Sequence, residues 1–61
     1  MIVEVEEIGG QLRFRSYNKM DVVPHAGESL YFDDETFMIR NIEWRISGYD
    51  FIARLFIEAI K

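Results

Sequence analysis

The groups that could perform covalent or acid–base chemistry in this chain are few and far apart. His25 is the only histidine, and there is no cysteine. A hydroxyl nucleophile needs a base held within hydrogen-bond reach. Ser29 is the one serine close in sequence to an imidazole, that of His25, whereas Ser16 and Ser47 have no such neighbour. Neither a third group to orient the base nor an oxyanion-binding loop accompanies the His25–Ser29 pair. Asp33-Asp34-Glu35 concentrates carboxylates but lacks the spaced ligands and the glycine of a calcium loop, and it reads as a solvated turn. Arg40-Asn41 could receive a phosphate or a carboxylate. Two carboxylates acting on a glycoside would need a deep cleft, which a chain of 61 residues hardly builds. The expectation is therefore a protein that is not an enzyme, with no catalytic residue, no cofactor and no metal site.

Charge narrows the partners. Seven Lys/Arg against eleven Asp/Glu leave a net charge of −4, with no basic stripe along the chain. Phosphate contacts supply much of the affinity for nucleic acids, so nucleic-acid binding is disfavoured. An acidic surface suits a basic protein partner or plain solubility. No apolar run approaches the length of a membrane span, and Met1-Ile2-Val3-Glu4 carries acid where a signal peptide carries base. The expectation is a cytoplasmic protein with no membrane partner, folded as a single domain over 1–61 near the lower size limit for unaided folding.

The elements that would carry these groups read as strands. Ile2 to Tyr17 is nearly symmetric about Gly9-Gly10. If Ile8 faces Gln11, Val5 faces Phe14 and Val3 faces Ser16 on one side, while Glu6 faces Arg13 and Glu4 faces Arg15 on the other. Two glycines suit a type I′ turn, which needs φ > 0 at both central positions. From Leu30 the alternation resumes. A turn at Asp33-Asp34-Glu35-Thr36 sets Phe32 opposite Phe37 and Leu30 opposite Ile39. The apolar phase is odd through Phe37 and Ile39, then even through Ile42, Trp44 and Ile46. One extra residue near Arg40-Asn41 must be absorbed, which a β-bulge does while bending the strand.

Two readings compete for Phe51 to Lys61. As a helix capped by Asp50, it shows an apolar stripe of Ile52, Leu55, Phe56, Ala59 and Ile60. As a strand after a Ser47–Asp50 turn, it sets Phe51, Ala53 and Leu55 against Ile46, Trp44 and Ile42, and Glu43 against Arg54. This third cross-strand ion pair favours the strand, with Ala59 to Lys61 open to a short helical turn. The connection from Tyr17 to Glu28 holds the only proline, Pro24. It is long enough to carry function, or it crosses between sheet edges with Val22 or Val23 plugging the barrel.

The fold class that follows is all-β: a small five-stranded antiparallel meander of strands 2–8, 11–17, 29–33, 36–46 and 50–58, shaped as an SH3-like barrel. Its core holds Val3, Val5, Leu12, Phe14, Leu30, Phe32, Phe37, Ile39, Ile42, Trp44, Ile46, Leu55 and Ile57, with Trp44 as a main anchor. Pro24-His25-Ala26-Gly27-Glu28, then Leu30-x-Phe32, Phe37-x-Ile39 and Ile42-x-Trp44, resembles a pattern in small SH3-like barrel proteins of bacteria and phages. The resemblance spans about residues 24–57 and consists of turn and core residues. It implies a barrel and a bacterial or phage origin, and hands over no catalytic residue.

More apolar groups exist than this core absorbs. Ile2, Ile8, Tyr17, Tyr31, Met38, Ile52, Phe56 and Ile60 fall on the opposite strand faces, and contiguous apolar surface of that kind marks an interface. Met38, Ile52, Phe56, Ile60 and Tyr31 are the candidate interface residues. The function this implies is protein interaction by surface binding, with a protein partner or a second copy in a homodimer. An inhibitor of a host system encoded by a phage or mobile element is one version of it. A structural subunit of a larger assembly is an alternative. A nucleic-acid-binding barrel using Tyr17, Tyr31 and Tyr49 as stacking platforms is another.

Overall fold

In the computed structural model, which describes residues 1–17 and 23–60, the chain forms five strands. They are β1 (Ile2–Glu7), β2 (Arg13–Tyr17), β3 (Ser29–Phe32), β4 (Glu35–Ser47) and β5 (Asp50–Ala59). The all-β expectation holds, and Phe51 onward is strand. β5 continues to Ala59, and the Ile60 N–H donates to the Thr36 carbonyl at 3.0 Å, so the C-terminal helical turn is not formed there. Lys61 lies outside the described residues.

The meander is corrected. The strands form one mixed sheet in the order β2-β1-β5-β4-β3, with β1 parallel to β5. The cause is legible in β5 itself. Ile52 and Leu55 point to opposite faces, yet both are buried, as are Ala53 and Ile57. A strand apolar on both faces is stabilised by neighbours on both sides, which a central position supplies and an edge does not. Placing β5 in the centre sends β2 and β3 to opposite edges. The long connection after Tyr17 is therefore a crossover between edges, and Val23, 7 % exposed, is part of the core. Val22, the other candidate plug, lies outside the described residues.

The first hairpin has the expected register, Glu4 opposite Arg15, Val5 opposite Phe14 and Glu6 opposite Arg13. Its turn differs. The Glu7 N–H donates to the Leu12 carbonyl at 2.9 Å, and only Gly9, at φ 73°, has a positive φ. The loop thus runs over Ile8–Gln11, wider than a type I′ turn. In the second hairpin the turn is tighter than expected: Asp33 and Asp34 both have positive φ, 50° and 61°, the type I′ geometry. Phe32 therefore faces Glu35 and Leu30 faces Phe37, a slip of two residues from the expected register. An even slip leaves every side chain on its face, so Leu30, Phe32, Phe37 and Ile39 still point the same way.

The bulge is where the change of apolar phase requires it. Ile39 pairs with Ile57 and Asn41 with Phe56, leaving Arg40 as the extra residue. Beyond it, Ile42 faces Leu55, Glu43 faces Arg54, Trp44 faces Ala53 and Ile46 faces Phe51, as the strand reading requires. The sheet curls until its two edge strands touch through side chains. The rings of Phe14 on β2 and Phe32 on β3 stack at 5.1 Å with 20° between planes. No ladder joins these edges among the described residues, so the result is a half-barrel. Phe37, Ile39 and Ile57 are its largest fully buried side chains.

Candidate interaction surface

β4 is longer than anything beside it. Thirteen residues at about 3.3 Å each span roughly 40 Å, matching the 38 Å long axis of a molecule only 20 × 19 Å across. β3 pairs with β4 only from Glu35 to Met38, and the loop before it reaches one residue further. There Gly27 N–H donates to the Ile39 carbonyl at 2.8 Å, and Ile39 N–H donates to the Glu28 carbonyl at 3.0 Å. The loop itself is locked by a turn in which Glu28 N–H donates to the His25 carbonyl at 3.1 Å and the Glu28 carboxylate accepts from the His25 N–H at 2.5 Å. Gly27, at φ 93°, takes the left-handed position of that turn. From Asn41 to Ser47, β4 pairs with β5 alone among the described residues. On the other side of β5, pairing with β1 starts only at Ile2–Ile52.

The far end of the β4–β5 hairpin therefore overhangs its neighbours: β4 outruns β3 beyond Met38, and the Ile46–Phe51 pair lies past the start of β1. On its inner face the core stripe continues without a cover: Trp44 is 53 % exposed, Phe51 54 % and Ile46 71 %. This corrects the expectation that Trp44 and Ile46 lie in the core. Their face is right, and the missing neighbour is what exposes them. Tyr49 in the turn is fully exposed. Gly48, at φ 63°, occupies the first turn position while Tyr49 has no positive φ, the signature of a type II′ turn.

The outer face carries a row of alternating charge, Arg15–Glu4–Arg54–Glu43, set by the registers of four strands. The Arg15 guanidinium lies 2.6 Å from Glu4, and that of Arg54 3.4 Å from Glu4 and 3.9 Å from Glu43. Hydrogen bonds from Arg15 hold the Glu4 carboxyl below the usual carboxylate range. Partial burial opposes this, and the charges of Arg15 and Arg54 add to the lowering. Arg13 pairs with Glu6 at 2.7 Å. A groove of about 400 Å3 is lined by Glu4, Glu6, Arg13, Arg15 and Arg54, but each of its arginines is already held by a carboxylate, Arg54 by Glu4 and by Glu43 outside the groove. Arg45, one row further toward the overhang, has no carboxylate partner among the described residues.

The expected interface residues are dispersed. Ile52 is 8 % exposed, flanked across the strands by Ile2 and Arg45. Phe56 and Met38 are half-buried, while Tyr31 (68 %) and Ile60 (47 %) are exposed. Along β5 the charged residues Arg54 and Glu58 separate Ile52, Phe56 and Ile60. The overhang set was hidden from sequence reasoning because its residues share the core's alternation. The usable signal was length, since residues 39 to 47 outrun any partner strand of ordinary size.

The chemistry-bearing residues are not drawn together. Ser29 and His25 are exposed, and no hydrogen bond joins their side chains among the described residues. The guanidinium of Arg40 is held by Glu58 through contacts of 2.7 and 3.2 Å, so the acid it receives is its own chain's. Asp34 accepts from the Tyr31 hydroxyl at 3.2 Å. No group of three His, Asp or Glu side chains is placed to hold a metal ion among the described residues, and they contain no helix long and apolar enough to cross a membrane. The chain matches no protein family, no curated protein and no solved structure.

Proposed function

We propose that this protein is a non-enzymatic interaction module, acting in the cytoplasm, that binds another protein surface through the overhanging end of its β4–β5 hairpin. The observation that carries this reading is the exposure of Trp44, Ile46 and Phe51 on one continuous face. Apolar side chains in a row are stabilised by cover, and aromatic anchors dominate the energetics of interfaces. Tyr31 and Ile60, exposed elsewhere on the molecule, belong to the same reading as secondary contacts. The SH3-like description is part of the proposal: five strands and a bent fourth strand support it, and the parallel β1–β5 pairing departs from the expected meander. An inhibitor of a host system, encoded by a phage or mobile element, is the specific version suggested by size, acidity and the resemblance at residues 24–57.

The test is affinity capture with the wild-type chain and with a Trp44→Ser, Phe51→Ser variant, both checked for a β-type circular dichroism spectrum. The expected result is a set of bound proteins, or self-association, present with the wild type and lost with the variant. Equal capture by both would place binding elsewhere on the surface. A wild type that neither captures a protein nor associates with itself would overturn the reading.

A further inference from the structure

The uncovered edge of β4 is self-complementary. Its residues run Asn41-Ile42-Glu43-Trp44-Arg45-Ile46-Ser47, and reversing the segment about Trp44 sets isoleucine against isoleucine and glutamate against arginine. We infer that the partner of the overhang is a second copy of this chain, paired antiparallel along Asn41–Ser47 with a two-fold axis at Trp44. This rests on the interaction reading above and names its partner and register.

Backbone geometry selects the same register independently. Ser47 and Asp50 flank a two-residue turn and form a hydrogen-bonded pair, and such pairs alternate along an antiparallel ladder. Asn41, Glu43, Arg45 and Ser47 thus turn their N–H and C=O groups toward β5. Ile42, Trp44 and Ile46 turn theirs outward, to the side where no described strand lies. With Trp44 on the axis, outward groups meet outward groups: Trp44 faces the partner's Trp44, and Ile42 faces the partner's Ile46. A slip of one residue would set outward groups against inward ones.

Side chains agree on both faces. On the inner face, the exposed Trp44 and Ile46 and the partly buried Ile42 gain neighbours on the side where no described strand of their own chain lies. On the outer face, Glu43 meets the partner's Arg45, the arginine without a carboxylate partner among the described residues. The edge also lacks two of the devices that block pairing, a proline and an inward-pointing charge. Its bulge, at Arg40, lies just before the free segment.

Charge exchange tests the register. Wild type should sediment as a dimer at concentrations where Glu43→Arg and Arg45→Glu each sediment as monomers, because each variant faces like charge twice. An equimolar mixture of the two should form a heterodimer, in which every facing pair is again opposite. Because Trp44 is the only tryptophan, its emission should shift to shorter wavelength with rising concentration in wild type and stay fixed in either variant. Ile46→Pro guards against misfolding of the charge variants. It removes only an outward N–H, so it should be monomeric and folded, whereas Arg45→Pro breaks the β4–β5 ladder and should lower the melting temperature.

A wild type monomeric at all concentrations overturns this inference. So does a dimer in which both charge variants associate as wild type does, or one unaffected by Ile46→Pro. In each case the broader interaction reading survives if the Trp44→Ser, Phe51→Ser variant loses a captured partner, so the two failures are separable.

Discussion

The two ends of the β4–β5 hairpin have the same alternation, the same residue types and the same inward face, yet opposite fates. At one end Phe37, Ile39 and Ile57 are 0–1 % exposed; at the other Trp44, Ile46 and Phe51 are 53–71 % exposed. Nothing in their local conformation distinguishes them. What differs is what lies alongside: β3 flanks β4 as far as Met38, whereas Trp44 stands on the edge beyond it, and Ile46 and Phe51 also lie past the Ile2–Ile52 pair where β1 begins. Alternation tells which face of a strand is apolar. Burial of that face is decided by how far the neighbours reach. The half that is covered holds the fold together, and the half that is not is available to a partner.

The comparison predicts its largest effect from paired truncations. Ile57→Ala should cost about 2–5 kcal/mol, a large share of the stability of so small a domain. Trp44→Ala, measured at a dilution where the chain is monomeric, should cost less than about 1 kcal/mol because little area is lost from the core. Urea unfolding of both variants checks this, and equal losses would erase the distinction between the two ends.

A smaller effect should come from the turns. Gly9 and Gly48 both have positive φ, with open space where a Cβ would sit, so alanine at either position introduces the same backbone strain of about 1–2 kcal/mol. Gly9→Ala should appear in the global unfolding free energy. Gly48→Ala should appear mainly as faster hydrogen exchange of amides near Ile46 and Phe51, because the overhang can fray alone. A full global loss from Gly48→Ala would show the overhang to be cooperative with the base.

Asp33-Asp34 allows a change in the stabilising direction. Asp34→Gly relieves a non-glycine residue at φ 61° and should raise stability by up to about 1 kcal/mol, less the exposed hydrogen bond from Tyr31. A thermal melt with no increase would indicate that the aspartate tolerates this conformation without strain.

The smallest effect is the acid response of the outer charge row. The folded-state pKa of Glu4 is depressed, so its contribution is fully present above its unfolded value and is lost as pH falls through the folded one. Wild type should therefore lose more stability than Glu4→Gln as pH falls below about 4–5. Parallel acid profiles for the two proteins would remove Glu4 from the acid response.

Pairing was legible in the chain because each of its signals is local. Glu4 with Arg15, Glu6 with Arg13 and Glu43 with Arg54 follow from opposite charge across short turns, and the bulge at Arg40 follows from a change of apolar phase. Even the register slip at Asp33-Asp34 left the faces intact, since it was even. Arg40, read as an anion site, is held by Glu58, a partner eighteen residues away along the chain that becomes adjacent only once β4 and β5 pair.

The all-β class, the first and third hairpins and the bend in β4 are thus properties of the sequence itself, set by side-chain period, charge and turn chemistry within a few residues. The strand order was decided only in three dimensions. Putting β5 in the centre, parallel to β1, buries both faces of one strand, and that gain depends on which strands lie beside it rather than on any neighbour in sequence. The exposure of Trp44 was decided in the same way. Its side chain points inward as the pattern says, and it remains in water because β3 stops at Met38 and no other described strand flanks it on that edge.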